Sequence, residues 1–167
     1  MIKNIIARFT LAILTIFLYK PLLFILTPLT LYPTYFLLIS YKPLLQNTSI
    51  IINSTTLTIT ESCLAILAYL LLLALVILTP KLPPKTRLKI FFLGSLIILT
   101  ANIIRILILS LLIIHKNINL FLTLHLFIWQ FLSSIFVFLI WIFLTKLYKI
   151  KTIPIYTDIK YLIKHIK

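Results

Sequence analysis

Apolar and polar positions divide the chain into long hydrophobic runs separated by short polar segments. Three of these runs are dominated by Leu, Ile and Phe and contain no proline. A helix needs roughly 20 apolar residues to cross about 30 Å of hydrocarbon, and these runs approach or exceed that length. The pattern predicts membrane helices at Cys63–Thr79, Ile90 to about Ile114, and Asn119–Thr145.

The N-terminal third is also apolar, but it contains Lys20 and four prolines at positions 21, 28, 33 and 43. Proline disfavours a helix interior, so this region is compatible with one or two crossings before Gln46. Basic Lys3 and Arg8 favour an N-terminus on the inner side of the membrane and therefore an odd number of crossings.

Residues 46–62 are mostly polar, and apolar and polar side chains alternate over Thr56–Thr60. Alternation of this kind is typical of an extended strand. We therefore expect a short, partly extended outer loop that leads directly into Cys63. Ser62 is the expected N-cap of the helix that follows.

Composition and charge define the class of protein. Hydrophobic residues make up 62% of the 167 residues, and mean hydropathy is +1.21, which excludes a soluble domain with a polar surface. Sixteen Lys and Arg residues oppose two acids. Because the basic residues cluster in segment 80–89 and after residue 145, they indicate membrane topology rather than a nucleic-acid partner.

These observations predict an all-α, polytopic transmembrane helix bundle of the cell membrane with about 4–6 membrane segments. One transmembrane domain is expected over residues 1–145, with its core at 50–145. Residues 146–167 would form a basic cytoplasmic tail. With both basic segments inside, Cys63 lies at the outer surface.

Three polar residues share one predicted membrane depth. At a rise of about 1.5 Å per residue, Arg105, Cys63 and His125 lie roughly 22, 24 and 30 Å from the inner ends of their helices. An ionisable side chain inside a bilayer is costly and therefore marks a functional site. The three residues come from three different helices, as in the interior sites of helix bundles.

This triplet suits nucleophilic catalysis on a carbonyl substrate. Cys63 is the candidate nucleophile, His125 the proton carrier and Arg105 the stabiliser of negative charge. Asn102 shares a helix face with Arg105, and Glu61 precedes Cys63, so both are candidate supporting residues. The scattered His, Cys and acidic positions lack metal-ligand spacing, and no cofactor is expected.

Each of these residues also has a structural interpretation. Cys63 would be an inert apolar filler, Arg105 would pair with Glu61, and His125 would be a hydrogen-bonded core residue. Together these interpretations describe a non-catalytic membrane subunit. His115 is read as interfacial and His165 as part of the solvated tail.

The segment Thr58-Ile59-Thr60-Glu61-Ser62-Cys63, the apolar helix that follows it, Asn102-x-x-Arg105 and then His125 resemble the archaeosortase/exosortase family of membrane transpeptidases. The order and spacing match over roughly residues 50–135.

The resemblance implies a membrane cysteine protease or transpeptidase with Cys63, Arg105 and His125 in the catalytic roles. Its substrates would be surface proteins with a C-terminal transmembrane sorting signal. Cleavage on the outer face would precede transfer, through a Cys63 thioester, to an acceptor such as a membrane lipid. An inactive member that still binds sorting signals is the remaining alternative.

Overall fold

The computed structural model describes residues 2–53, 55–80, 82–127 and 133–150. This part of the chain is mainly helical, with six α-helices and one small antiparallel sheet between the second and third. The prediction of a helical fold is confirmed in this coarse form. The sheet adds regular structure where only a partly extended loop was expected.

The N-terminal third forms one long helical segment despite its prolines. Helix α1 (Ile2–Leu14) continues through a 3₁₀ turn (Thr15–Leu18) into α2 (Tyr19–Leu37), and Pro28 and Pro33 lie inside α2. The stretch Ile5–Leu37 is long and apolar enough to cross a membrane once. Prolines are tolerated in such helices because neighbouring groups compensate for the lost backbone hydrogen bonds.

Three short strands follow α2: β1 (Leu44–Gln46), β2 (Ser49–Ile52) and β3 (Thr55–Thr58), in the order β1-β2-β3. Asn47 and Asn53 lie at the two tight turns and have a φ of 52°, a left-handed conformation that Asn adopts more readily than most residues. Ile50 and Ile52 of the central strand are buried in the hydrophobic core. The sheet is thereby held against the helices.

The helix after Cys63 begins later than predicted. A 3₁₀ turn covers Glu61–Leu64, Ala65 adopts a left-handed conformation, and α3 runs only over Ile66–Leu78. The prediction that Ser62 caps this helix is wrong, because Ala65 occupies the N-cap position and Ser62 Oγ hydrogen-bonds Thr60 Oγ1 at 2.8 Å. Cys63 therefore lies in the turn that precedes α3.

Helix α4 covers Pro84–Ile114 and begins six residues before the predicted Ile90. Proline is favoured in the first helical turn, where its missing N–H has no intrahelical partner, so Pro84 starts the helix instead of preventing it. Arg87 then donates to the carbonyl of Thr79 at 3.3 Å and ties the start of α4 to the end of α3. The predicted end at Ile114 is confirmed.

The predicted helix Asn119–Thr145 corresponds to two described helices, α5 (Ile118–Phe127) and α6 (Ser133–Leu147). Residues 128–132 lie outside the described residues. Most of the predicted basic tail, residues 151–167, also lies outside them. No feature of the described residues tests the proposed boundary at residue 145.

Helices α3, α4 and α6 pack most closely around the only glycine of the chain. A Cβ on Gly94 would lie 2.6 Å from Leu72 Cδ2 and 3.0 Å from Leu144 Cδ1. Leu72 and Leu144 are themselves fully buried. Glycine at this crossing allows the three helices to approach closely, because a side chain here would have to displace Leu72 and Leu144.

Within the described ranges, two helical stretches, Ile5–Leu37 and Pro84–Ile114, are long and apolar enough to span a membrane. Only 11% and 28% of their most apolar windows are buried inside the protein, whereas the core helix of a soluble protein is mostly buried. These surfaces support membrane association. The number of segments beyond two, and their orientation, remain predictions.

Candidate active site around Cys63

Cys63 is half-buried in the turn between β3 and α3. Its N–H donates to the carbonyl of Thr60 at 2.9 Å, and its Sγ lies 3.5 Å from Thr60 Oγ1. The left-handed Ala65 that follows turns the chain into α3. The thiol is therefore held by local backbone geometry at the junction of the sheet and a helix.

Two side chains of α4 converge on the main-chain carbonyl of Cys63. Asn102 Nδ2 donates to this oxygen at 2.8 Å, and an Arg105 guanidinium N–H donates to it at 3.0 Å. Residues three positions apart share a helix face, which explains how both reach one acceptor. Asn102 and Arg105 of α4 therefore both contact the residue that carries the thiol.

The same two side chains retain unused hydrogen-bonding capacity. Arg105 Nε and Asn102 Oδ1 are buried and have no hydrogen-bond partner among the described residues. Buried polar atoms are normally paired, so unpaired ones call for an explanation. Both residues also line an apolar cavity of about 240 Å³ between α3, α4 and α6. The unpaired atoms mark a place where a further polar group could be bound.

His125 lies on α5, where its ring stacks on that of Phe121 with a centroid separation of 5.5 Å. A cavity of about 150 Å³ between β3, α4 and α5 is lined by Cys63, Arg105 and His125 together. The three predicted catalytic residues therefore border one space. His115, in contrast, is exposed at the C-terminal end of α4.

Glu61 takes a different position from the one in the ion-pair interpretation. Its carboxylate accepts a hydrogen bond of 2.6 Å from the Tyr19 hydroxyl of α2. Within the described residues, no ion pair joins Glu61 to Arg105, although both line a larger cavity of about 530 Å³. The Glu61–Arg105 pair is therefore not part of this structure.

Two contributors to the site were missed by the sequence analysis. Thr60 contacts the thiol, and Tyr19 holds Glu61 from a helix 42 residues earlier in the chain. Thr60 could have been noticed because it precedes Cys63 by three residues, a separation that one turn closes. Tyr19 carried no comparable signal, since its partner is set by how α2 packs.

Comparison of the chain with models of protein families, with curated proteins and with solved structures gave no match.

Proposed function

We propose that this protein is a membrane-embedded cysteine peptidase or transpeptidase in which Cys63 is the nucleophile. The observation that carries the proposal is the cavity shared by Cys63, Arg105 and His125, which lie on three separate elements. A thiol and an imidazole around one space suit acyl transfer through a thioester, and a guanidinium beside them can stabilise the charge that develops.

In the proposed reaction, His125 takes the thiol proton and Cys63 Sγ attacks the substrate carbonyl carbon. The new C–S bond creates an oxyanion. When this intermediate collapses, the C–N bond breaks and the leaving amine takes the proton from His125. The acyl group remains on Cys63 as a thioester. An acceptor hydroxyl or amine, or water, then gives its proton to His125, attacks the thioester and releases the thiolate.

Arg105 would act in two ways. Its hydrogen bond to the Cys63 carbonyl orients the segment that carries the nucleophile, and Asn102 supports the same carbonyl. Its positive charge beside the cavity would stabilise the thiolate or the oxyanion. The buried Nε–H, which has no partner among the described residues, is a donor available for this second role.

The resemblance to archaeosortases and exosortases supplies the substrate class. We propose a multi-pass protein of the cell membrane whose site faces outward, and substrates that are surface proteins with a C-terminal transmembrane sorting signal. A membrane lipid is the proposed acceptor. Glu61 and Ser62, the first two residues of the turn before α3, are exposed, which supports a site that a substrate can reach from outside the bilayer.

The test is a comparison of surface-protein C-termini in native cells that carry wild-type protein or Cys63→Ala. We expect processing to be lost in Cys63→Ala while membrane insertion is retained. His125→Gln should reduce processing strongly, whereas His115→Gln, at an exposed histidine outside the cavity, should leave it unchanged. In wild-type cells, mass spectrometry should also detect a hydroxylamine-sensitive acyl adduct on Cys63. Unchanged C-termini in Cys63→Ala cells would refute the proposal.

A second candidate is a non-catalytic protein that binds sorting signals or supports a membrane complex. One observation favours it: Asn102 and Arg105 both bind the backbone of Cys63 rather than its thiol. This candidate predicts that Cys63→Ala is functionally silent and that Asn102 and Arg105 matter only for stability. The same experiment therefore separates the two candidates.

A further inference from the structure

Among the described residues, strand β3 has one unpaired edge, which lies beside the cavity that Cys63 lines. Within this part of the chain, β2 is bonded on both sides, whereas β3 pairs only with β2. An unpaired edge presents a row of main-chain N–H and C=O groups to any extended chain that approaches it. Edges of this kind bind peptides by adding a strand.

The register shows which groups of β3 face outward. The N–H of Ile59 donates to the carbonyl of Thr48 at 3.0 Å, so Thr48 and Ile59 form a hydrogen-bonded pair. Such pairs alternate with non-hydrogen-bonded ones in an antiparallel ladder. Thr58 opposite Ser49 is therefore a non-hydrogen-bonded pair, consistent with their hydroxyls lying 3.0 Å apart. The N–H and C=O of Thr58, and likewise of Thr56, point away from β2.

The cavity follows this edge. Four consecutive residues, 56–59, line it, although successive side chains of a strand point to opposite faces. A space that touches both faces must pass along the edge between them. Thr56 and Thr58 are exposed, and Cys63 follows five residues after Thr58. The main-chain groups of β3 that point away from β2 therefore lie along the same cavity as the thiol.

We propose that the free edge of β3 binds the substrate polypeptide as an added strand and so delivers its scissile carbonyl to Cys63. This inference rests on the proposed function and extends it by naming how the substrate is held. The ligand is an extended peptide segment that offers N–H and C=O groups at alternate residues. One of its side chains enters the cavity, where Ile106, Leu109 and Phe121 favour an apolar group.

The test uses chemical probes that do not require turnover. Acetyl-Val-Thr-Val-Ala chloromethyl ketone places a peptide on one side of the electrophile, and chloroacetyl-Val-Thr-Val-Ala amide places it on the other. Chloroacetone and chloroacetamide, which carry the same two electrophiles without a peptide, are the small reference reagents for the ketone and the amide respectively. Because Cys63 is the only cysteine of the chain, its mass shift in the full-length protein in lipid vesicles reports each rate. The two peptides cover both possible strand directions.

The decisive variant is Thr58→Pro, which removes one outward N–H without removing a bond to β2. Leu45→Pro is the matched control, because Leu45 holds the equivalent outward position on β1, the opposite edge of the sheet. Thr58→Val controls for loss of the hydroxyl. For wild type we expect at least one peptide to react roughly tenfold or more faster than the small reagent with the same electrophile, an advantage that a few hydrogen bonds supply.

Thr58→Pro should remove most of this advantage, whereas Leu45→Pro and Thr58→Val should retain it. Chloroacetone and chloroacetamide should each react equally with wild type and all three variants. Peptides N-methylated at alternate residues should lose the advantage on wild type but show no further loss on Thr58→Pro. The inference fails if neither peptide is preferred, or if Leu45→Pro lowers the preference as much as Thr58→Pro. If the wild-type protein prefers a peptide but Cys63→Ala cells still process their surface proteins, strand addition would stand and only the catalytic proposal would be refuted.

Discussion

The carbonyl oxygen of Cys63 accepts hydrogen bonds from both Asn102 and Arg105, at 2.8 and 3.0 Å. Removing one donor leaves the oxygen with the other, whereas removing both leaves a part-buried acceptor unpaired. We therefore expect Asn102→Ala and Arg105→Met to be non-additive. Their combined effect on the free energy of unfolding should exceed the sum of the single effects.

The magnitude follows from the bonds involved. Loss of the neutral bond from Asn102 should cost about 0.5–1.5 kcal/mol, and loss of the charged bond from Arg105 about 1.5–3 kcal/mol. Each substitution also removes a buried atom that has no partner among the described residues, which offsets part of its cost. The double variant adds the penalty of an unpaired carbonyl, about 1–3 kcal/mol. We expect a coupling energy of about 1–2 kcal/mol.

The assay is unfolding in mixed micelles of dodecylmaltoside and increasing SDS, followed by tryptophan fluorescence, to which the buried Trp141 contributes. Thr100→Ala combined with Arg105→Met is the control pair, because the Thr100 hydroxyl donates to Leu96 and shares no partner with Arg105. The control should be additive within about 0.5 kcal/mol. Additivity of Asn102→Ala with Arg105→Met to the same degree would refute the shared-acceptor explanation.

Three further predictions use the same protein. Gly94→Val should destabilise the fold by about 1–3 kcal/mol, because its side chain would have to displace the buried Leu72 and Leu144. Ser95→Ala removes a buried hydroxyl without a partner among the described residues and should be neutral or stabilising. Equal effects in SDS unfolding would contradict this account. Ala65→Gly should stabilise the fold by up to about 1 kcal/mol, because a φ of 54° is strained for alanine. Ala68→Gly, inside α3, is the control and should destabilise the fold by about 1 kcal/mol. Destabilisation by both substitutions would show that Ala65 carries no strain. In the Cys63→Ala background, single cysteines placed at Gln46 and at Lys85 should react with a membrane-impermeant maleimide from opposite sides of the vesicle. Labelling of both positions from the same side would refute the proposed topology.

Sequence patterns located the helical regions well but placed several of their boundaries incorrectly. The end of α4 at Ile114 was predicted, since polar residues follow a long apolar run. Its start was not, because the continuous apolar run begins only at Ile90 whereas the helix begins at Pro84, in the first turn that proline favours. The start of α3 was also misplaced, since the left-handed Ala65 is a conformation that an alanine in sequence does not indicate.

The candidate site was likewise predicted from the sequence only in part. Cys63, Arg105 and His125 were grouped from sequence by assuming one continuous helical rise for each, and they border one cavity in the structure although Cys63 lies in a turn before α3. The partner of Glu61 could not be found in this way. Two opposite charges suggested an ion pair, but the packing of α2 brings the Tyr19 hydroxyl to Glu61 instead.

The sequence by itself determined that the chain is mainly helical, apolar enough for a membrane, and interrupted by a few polar residues at particular positions in its apolar runs. These properties depend on local composition and on the fixed rise of a helix. Only the tertiary structure decided that Asn102 and Arg105 share the Cys63 carbonyl and that β3, in the part of the chain that the structure describes, has an unpaired edge beside the thiol. These features join residues about 40 positions apart, or depend on strand register. Both are set by packing among elements rather than by the residues of any one of them.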